Sequence, residues 1–367
     1  MKLRILHITP WYPKPDDPLN ALWIFRHVKS LEPHFTQHVL HFDEGFGNSI
    51  SKFENDSGLS RIILRTRFKS WRLHEWKIFL ALRRFLKKEN VKNNFDVVNF
   101  HIAYPICTYL HRLKFFLPEK ILITEHWSYY HFHFHSNKKL TRIKNIFSHN
   151  HPVLCVSEAL ARDIKTFSGK TFPVHIVSNV VETDAYHFND TTKPGLHFFM
   201  AARWKSPKSP IEILKALVEL KKRNIHITLR IAGFGDLVPE IENSISQLGL
   251  SDSAKFVGVL NSEQLATEYR AATAFILPTG YETFSVVCAE ALCCGCPVLS
   301  EPNGAIPELV NETNGLLRNK NEAWEDVIER FLSNNNFDRR KISEAATSHY
   351  NMLKIGKQYA SIIHSLK

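Results

Sequence analysis

Short apolar runs alternate with longer amphipathic stretches along the whole chain, a rhythm that predicts parallel strands wrapped by helices. In the first half the strand-like runs are LRILHIT (3–9), QHVLHF (37–42), DVVNFH (96–101), KILITEH (120–126), HPVLCVS (151–157) and PVHIVSN (173–179). Between 181 and 195 the pattern dissolves into VETDAYHFNDTTKPG, a polar stretch ending in Pro194 and Gly195 that reads as a linker. The rhythm restarts with LHFFMAAR (196–203), ITLRIAGFG (227–235), AKFVGVL (254–260), AFILPTG (274–280) and CPVLSEP (296–302), with helical stretches such as 211–223 and 263–272 between them. The expected fold class is α/β. Two facing Rossmann-like domains, 1–185 and 186–350, have parallel sheets and a cleft between them, and 351–367 forms a helix packing back toward the first domain.

Length agrees with two domains, since 367 residues exceed the size at which a single core stops growing. Charge adds a preference. Against 36 acidic residues stand 47 Lys and Arg, a balance of +11 that favours anionic partners. The opening MKLRILHITPWYPKP has only a short apolar stretch broken by prolines, so no export signal is expected, and no run approaches the ~20 apolar residues of a membrane span. Six cysteines without an export signal imply reduced thiols and a cytoplasmic location.

Several familiar chemistries are missing. The turn after the first strand reads TPWYPKPDD, without the G-x-G-x-x-G of a dinucleotide site, and no P-loop occurs. Four cysteines, Cys288, Cys293, Cys294 and Cys296, crowd one segment, but their C-x4-C-C-x-C spacing lacks the paired ligands of a zinc site. They lie in SVVCAEALCCG, a uniformly small and apolar stretch closed by Gly295, and read as packing in a buried helix. No metal is expected. His131, His133 and His135 alternate with aromatics, either as a metal-binding strand or as a segment whose rings face inward and whose imidazoles face solvent; no nearby carboxylate or cysteine completes a ligand set. His126 ends an apolar strand, where ligands of open α/β sheets sit, although a capping or core role suits it as well.

A more coherent group lies in the second half. Arg203 and Lys208 follow the strand that opens this domain, where a guanidinium fork and an ammonium suit a diphosphate. Glu282 follows AFILP at another strand end, and the backbone N–H groups of Thr283, Phe284 and Ser285 open the apolar helix after it, a position that holds anions. Glu290, two turns in, is a carboxylate in so apolar a helix that it needs a partner, which two ribose hydroxyls would supply. Cations flanked by carboxylates outline a nucleotide sugar.

With these residues in place the chain resembles a retaining glycosyltransferase of family 4, with the GT-B fold. The motif E-x7-E is ETFSVVCAE, the R-x4-K pair is RWKSPK, and IAGFGD, FVGVL, ILPTGYETF and NGAIPELV follow in the family's order. The first half adds ILHITPWYP, ALWIFRHVKSL, ITEH, VLCVSEAL and SNVVETDAY. The resemblance implies that Glu282 contacts the transferred sugar, Glu290 the donor ribose, and Arg203 with Lys208 the diphosphate. It further implies that His126 approaches the donor sugar and that Gly233 lets backbone come close to the donor. No cofactor or metal is implied, the donor being a nucleotide-diphosphate sugar. Ala21 and Ser209 stand where the family has glycines.

Arg61 to Lys92 contains eleven Lys or Arg and two acids, interleaved with Phe68, Trp71, Trp76, Phe79 and Phe85. Within it SWRLHEWKIFLALRRFLKKEN (70–90) reads as a basic, aromatic-rich helix that either lies on an anionic membrane, at the inner face of the cell membrane, or packs on the core with a solvated basic face. Nucleic acid is not expected as a partner, since no recognised module accompanies the charge. On the membrane reading the acceptor is a lipid-linked glycan, as in bacterial cell-surface polysaccharide assembly. The alternatives to a hexosyltransferase are a sugar-nucleotide epimerase on the same fold and a non-catalytic glycan-binding subunit.

Overall fold

The computed structural model describes residues 2–46, 50–56, 58–66, 71–135, 140–190, 195–334 and 336–366. The chain divides into two units: Met1–Val180 with Met352–Lys367, and Val181–Asn351.

Unit 1 is built on strands β1 (Arg4–Thr9), β2 (Thr36–Phe46), β3 (Ile50–Asp56), β4 (Leu59–Thr66), β5 (Val97–His101), β6 (Lys120–Glu125), β7 (Val153–Cys155) and β8 (Val174–Ile176). Their order in the sheet is β3-β4-β2-β1-β5-β6-β7-β8, and every pair is parallel except β3 with β4. The central strands are buried on both faces, which is why β1 and β5 read as mostly apolar runs with few polar interruptions. Helix Met352–Ser365 belongs to this unit. It buries Ile355, Tyr359, Ala360 and Ile363 in one cluster with Ile5, Leu31, Phe35, Val97 and Leu122. Gly356 permits the close approach, because a Cβ there would lie 2.1 Å from the Ser30 carbonyl oxygen on helix Leu22–Ser30. That helix opens at Ala21, which adopts φ 51°, ψ 39° while buried, so the left-handed conformation persists here without a glycine at a cost of about 1 kcal/mol. Ser209, in contrast, has φ −123° and no need of one.

Unit 2 carries β9 (His197–Arg203), β10 (Thr228–Phe234), β11 (Ala254–Gly258), β12 (Ala274–Leu277), β13 (Val298–Ser300) and β14 (Gly315–Leu317). Their order is β11-β10-β9-β12-β13-β14, all parallel. The chain leaves β9 toward β10 on one side and later returns to β12 on the other. That reversal opens a crevice at the carboxyl ends of β9 and β12. In unit 1 the same reversal falls at β1 and β5.

The basic helix expected over 70–90 is present, as Trp71–Lys88, and a strand precedes it. Residues 61–66 belong to β4, where Arg65 pairs with Asp43 at 3.0 Å and Arg61 approaches Glu54 at 3.9 Å. Arg67, Phe68 and Lys69 lie outside the described residues, as do 191–194 of the linker, and the helix proper is Trp71–Lys88. The histidine-rich segment forms short 3-10 turns, Ser128–Tyr130 and His133–His135, and not a strand. His131 and His133 are exposed, while Tyr130 is fully buried against Phe134, Phe147 and Phe167. Among the described residues no helix is long and apolar enough to cross a membrane.

Candidate active site

Because β9 and β12 are neighbours, the loops that follow them leave the sheet side by side. The Gly280 N–H donates to the Pro207 carbonyl at 2.8 Å and the Ser209 N–H to that of Pro278 at 3.2 Å, so the two loops form a short ladder. This register carries Lys208 to Glu282: its Nζ donates to Oε1 at 2.9 Å, with both side chains about 15% exposed. Thr279, wholly buried, places its hydroxyl 3.3 Å from the same carboxylate oxygen. A third loop, after β13, holds the backbone of Glu282, since the Ala305 N–H donates to its carbonyl at 2.9 Å. Gly304, at φ 61°, is required there because a Cβ would meet that carbonyl at 2.1 Å.

Arg203, the last residue of β9, is exposed and lays its guanidinium 5.7 Å from the centre of the Phe234 ring. Trp204 beneath it is fully buried and donates from Nε1 to the Ala232 carbonyl at 2.8 Å, which anchors the cationic loop to β10. Burial, Arg203 and Lys208 together hold the Lys205 ammonium below its usual pKa, a third cation that sequence reasoning did not single out. Gly233 sits at φ 123° with its missing Cβ pointed at the Ala202 carbonyl, 1.9 Å away, so the neighbouring strand by itself demands glycine.

Beyond Glu282 the chain turns into helix Val286–Cys293. Thr283 is half-buried, and Phe284 faces away from the sheet edge into the unit, its ring 5.6 Å from that of Tyr350. Ser285 adopts φ 76° and its buried Oγ has no hydrogen-bond partner. The first amides of this helix have no intrahelical acceptor, so the helix start, Lys208 and Arg203 present donors and positive charge. Glu290 is buried on the same helix and adds to the burial that raises the pKa of Tyr269. All four cysteines of the segment are fully buried, and burial pushes Cys288 and Cys296 up to about 12. Among the described residues no group of three or more His, Cys, Asp or Glu converges to hold a metal ion. Serine at Cys288 or Cys296 is expected to destabilise the protein by about 1–3 kcal/mol through its buried hydroxyl, and alanine less, with turnover kept in the folded fraction; calorimetry of the variants checks this.

His126 lies in unit 1, just after β6, 7% exposed, with no hydrogen-bond partner at either ring nitrogen. Its ring is 5.3 Å from that of His27 and stacks on His101 at 6.0 Å. His101 Nε2 meets His7 Nδ1 at 3.1 Å and His7 Nε2 meets the side-chain Oε1 of Gln37 at 2.9 Å. Tyr359 of the last helix closes the group through Asn99 at 2.7 Å and Thr124 at 2.6 Å. Burial lowers His7 and His27 to about 4 and holds His101 and His126 well below the ordinary imidazole value. Glu125, immediately before His126, is raised by burial to about 7 while it accepts from the Ala103 N–H at 2.7 Å and from the Tyr130 hydroxyl. Of this network only His126 was singled out from sequence. The available signal was a polar residue near the carboxyl end of each of β1, β5 and β6, strands that lie side by side.

Paired Rossmann-like units, one with cations and a carboxylate at its switch point, are the architecture of a GT-B transferase. Residues 187–349 match the family model for glycosyl transferases group 1, and residues 35–185 match that for Glycosyltransferase Family 4. The chain belongs to these glycosyltransferases. It is 30% identical over 143 residues to an uncharacterized glycosyltransferase, MJ1607, of Methanocaldococcus jannaschii, a match covering 38% of this chain and 36% of that protein. Over 285 residues it is 26% identical to the GDP-mannose:cellobiosyl-diphosphopolyprenol alpha-mannosyltransferase of Xanthomonas oryzae pv. oryzae, covering 73% of this chain and 74% of that one. Anabaena HepE, solved in complex with UDP and glucose, shares the fold with a TM-score of 0.73 at 16% identity over 99% of this chain and 100% of its own.

Proposed function

We propose that the chain is a retaining hexosyltransferase that moves a sugar from a nucleotide-diphosphate donor to a hydroxyl of a lipid-linked glycan in cell-surface polysaccharide synthesis. The observation that carries this reading is the Lys208–Glu282 pair at the switch point of unit 2, beside Arg203 and the start of helix Val286–Cys293. In this reading the two cations and the helix amides take the diphosphate, and their attraction grows as negative charge builds on the leaving phosphate. They perform the role a metal would otherwise take, so transfer is expected to survive chelators. Glu282, held by Lys208, faces the hydroxyls of the transferred sugar; Glu290 takes the ribose, and His126 of unit 1 approaches the sugar. The Xanthomonas relative's acceptor, a sugar on a diphosphopolyprenol, supports the lipid-linked acceptor.

A thermal-shift screen over UDP- and GDP-sugars tests the donor, since a ligand at ~100 times its Kd adds about 2.7 kcal/mol to stability. The donor that scores is then incubated with glycosyl-diphosphopolyprenol acceptors, and the anomeric configuration of the product is read by NMR. Retention is expected. Epimerised free sugar released without acceptor, or binding without turnover, would replace this reading with an epimerase or a glycan-binding subunit.

A further inference from the structure

The basic stretch takes on a different outline once folded. Of its cations, Arg61 and Arg65 are drawn into acid contacts on β4, and Phe79 and Phe85 turn inward with Ile78, Leu82 and Leu86. What remains outside on helix Trp71–Lys88 is a stripe at helical spacing: Leu73 (51% exposed) and Trp76 (38%), then Arg83, Arg84 and Lys87. The inner face is held firmly. Glu75, the helix's one acid, is buried between the Arg142 guanidinium at 2.6 Å and the Tyr104 hydroxyl at 2.9 Å, so it does not offset the outer charge.

A second element, remote in sequence, completes the surface. The 3-10 segments Ile106–Arg112 and Lys114–Phe116 pack beside the helix, with the Tyr109 ring 5.5 Å from that of Trp76. Arg112 lies 5.6 Å over both rings, Arg83 lies 5.2 Å over Phe116, and Lys114 sits 5.0 Å from Phe115, which is 72% exposed. Six exposed cations (Arg72, Arg83, Arg84, Lys87, Arg112 and Lys114) therefore surround three exposed apolar side chains, neither segment carries an exposed acid, and Lys88 at the helix end pairs with Glu89 at 3.6 Å.

We propose that unit 1 docks on an anionic membrane through this composite surface, with Phe115, Leu73 and Trp76 entering the lipid headgroup boundary and the cations meeting acidic headgroups. Water does not favour so exposed a phenylalanine, and a bilayer supplies both an apolar phase for it and opposite charge around it. Protein interfaces are depleted in lysine, and a nucleic acid offers Leu73 nothing apolar to enter. The proposal goes beyond the reaction: it places the enzyme at the surface where a lipid-linked acceptor resides.

The full chain is sedimented with vesicles of phosphatidylcholine alone and of phosphatidylcholine mixed with phosphatidylglycerol, at low and high salt. Vesicle binding needs no turnover, so its outcome is separate from that of the proposed activity. Binding is expected on the anionic vesicles alone and to weaken with salt. The double variant Arg112→Glu, Lys114→Glu should weaken it at least about tenfold, and Phe115→Ser about threefold or more even at low salt. All three positions are exposed, and circular dichroism confirms that the variants fold. Equal binding to neutral vesicles, no binding at all, or binding indifferent to both variants overturns the proposal. So does preferential capture of RNA added in competition that is unaffected by Phe115→Ser.

Discussion

Lys208→Ala is expected to lower kcat/KM by about 30- to 1,000-fold, the cost of losing one charged donor aimed at a leaving group, about 2–4 kcal/mol of barrier. Two effects combine. The ammonium leaves the diphosphate, and Glu282 loses the partner that fixes its carboxylate at 2.9 Å, keeping only the Thr279 hydroxyl at 3.3 Å. Glu282→Gln should reduce kcat in the same range while the melting temperature stays close to wild type, because an amide keeps the shape and still accepts from Lys208. Arg203→Ala should lower turnover with the least effect on stability, its guanidinium being exposed against Phe234. Steady-state kinetics with the donor found by thermal shift, run beside melting curves, separates these outcomes. Wild-type kcat/KM in Lys208→Ala would refute the assignment of the cationic loop.

The second large effect is on stability. Unit 1 is expected to unfold in mild acid, losing most of its stability between about pH 6.5 and pH 4. His7, His27 and His41 are each lowered by burial to about 4, and burial also holds His101 and His126 well below the ordinary imidazole value. In the unfolded chain these imidazoles take protons near 6.5, before the native state does, so stability is fully present above that pH and is lost as pH falls. A depression of this size is worth on the order of 3 kcal/mol per imidazole at the acid limit, and a few such groups approach the whole stability of an ordinary domain. Glu125 acts in the opposite sense. Raised to about 7, it holds a proton that the unfolded chain has released, so its contribution grows as pH falls toward the ordinary carboxylate range and offsets about one histidine. Melting temperature followed by tryptophan fluorescence across this range tests the sum; a flat profile from neutrality to about pH 4.5 would show that the cluster does not titrate as its burial requires.

The outcome at particular elements shows where sequence reading succeeds. Strands β1, β5, β6, β9 and β12 were legible because they are buried along nearly their whole length and their residues are mostly apolar. β3, β4 and β14 were not. β3 is the edge strand and β4 its inner neighbour; together they spell SKFENDSGLSRIILRT, polar and charged enough to pass for loop, and β14 has three residues, too few for a pattern. The basic helix was legible to within two residues at each end, but the partners of the arginines before it, Asp43 and Glu54, are brought alongside only by the sheet.

Sequence alone determined what depends on neighbours a few residues apart. That covers the two α/β rhythms, the burial of the cysteine-rich helix, and the placing of Arg203 at a strand end and of Lys208, Glu282 and Ser285 in loops that follow strands, since local periodicity and turn residues report local structure. Tertiary structure decided which of these meet. Lys208 reaches Glu282, 74 residues away, because β9 and β12 are adjacent and their loops share a register. Tyr359 reaches Asn99 across 260 residues because a C-terminal helix returns to the first sheet. His7, His27, His101 and His126 become one buried group, and Trp76 and Arg112 one surface, through the order of strands and the packing of segments remote in the chain. Such long-range pairings are chosen by the burial of whole sheet faces, and no short stretch of sequence carries that choice.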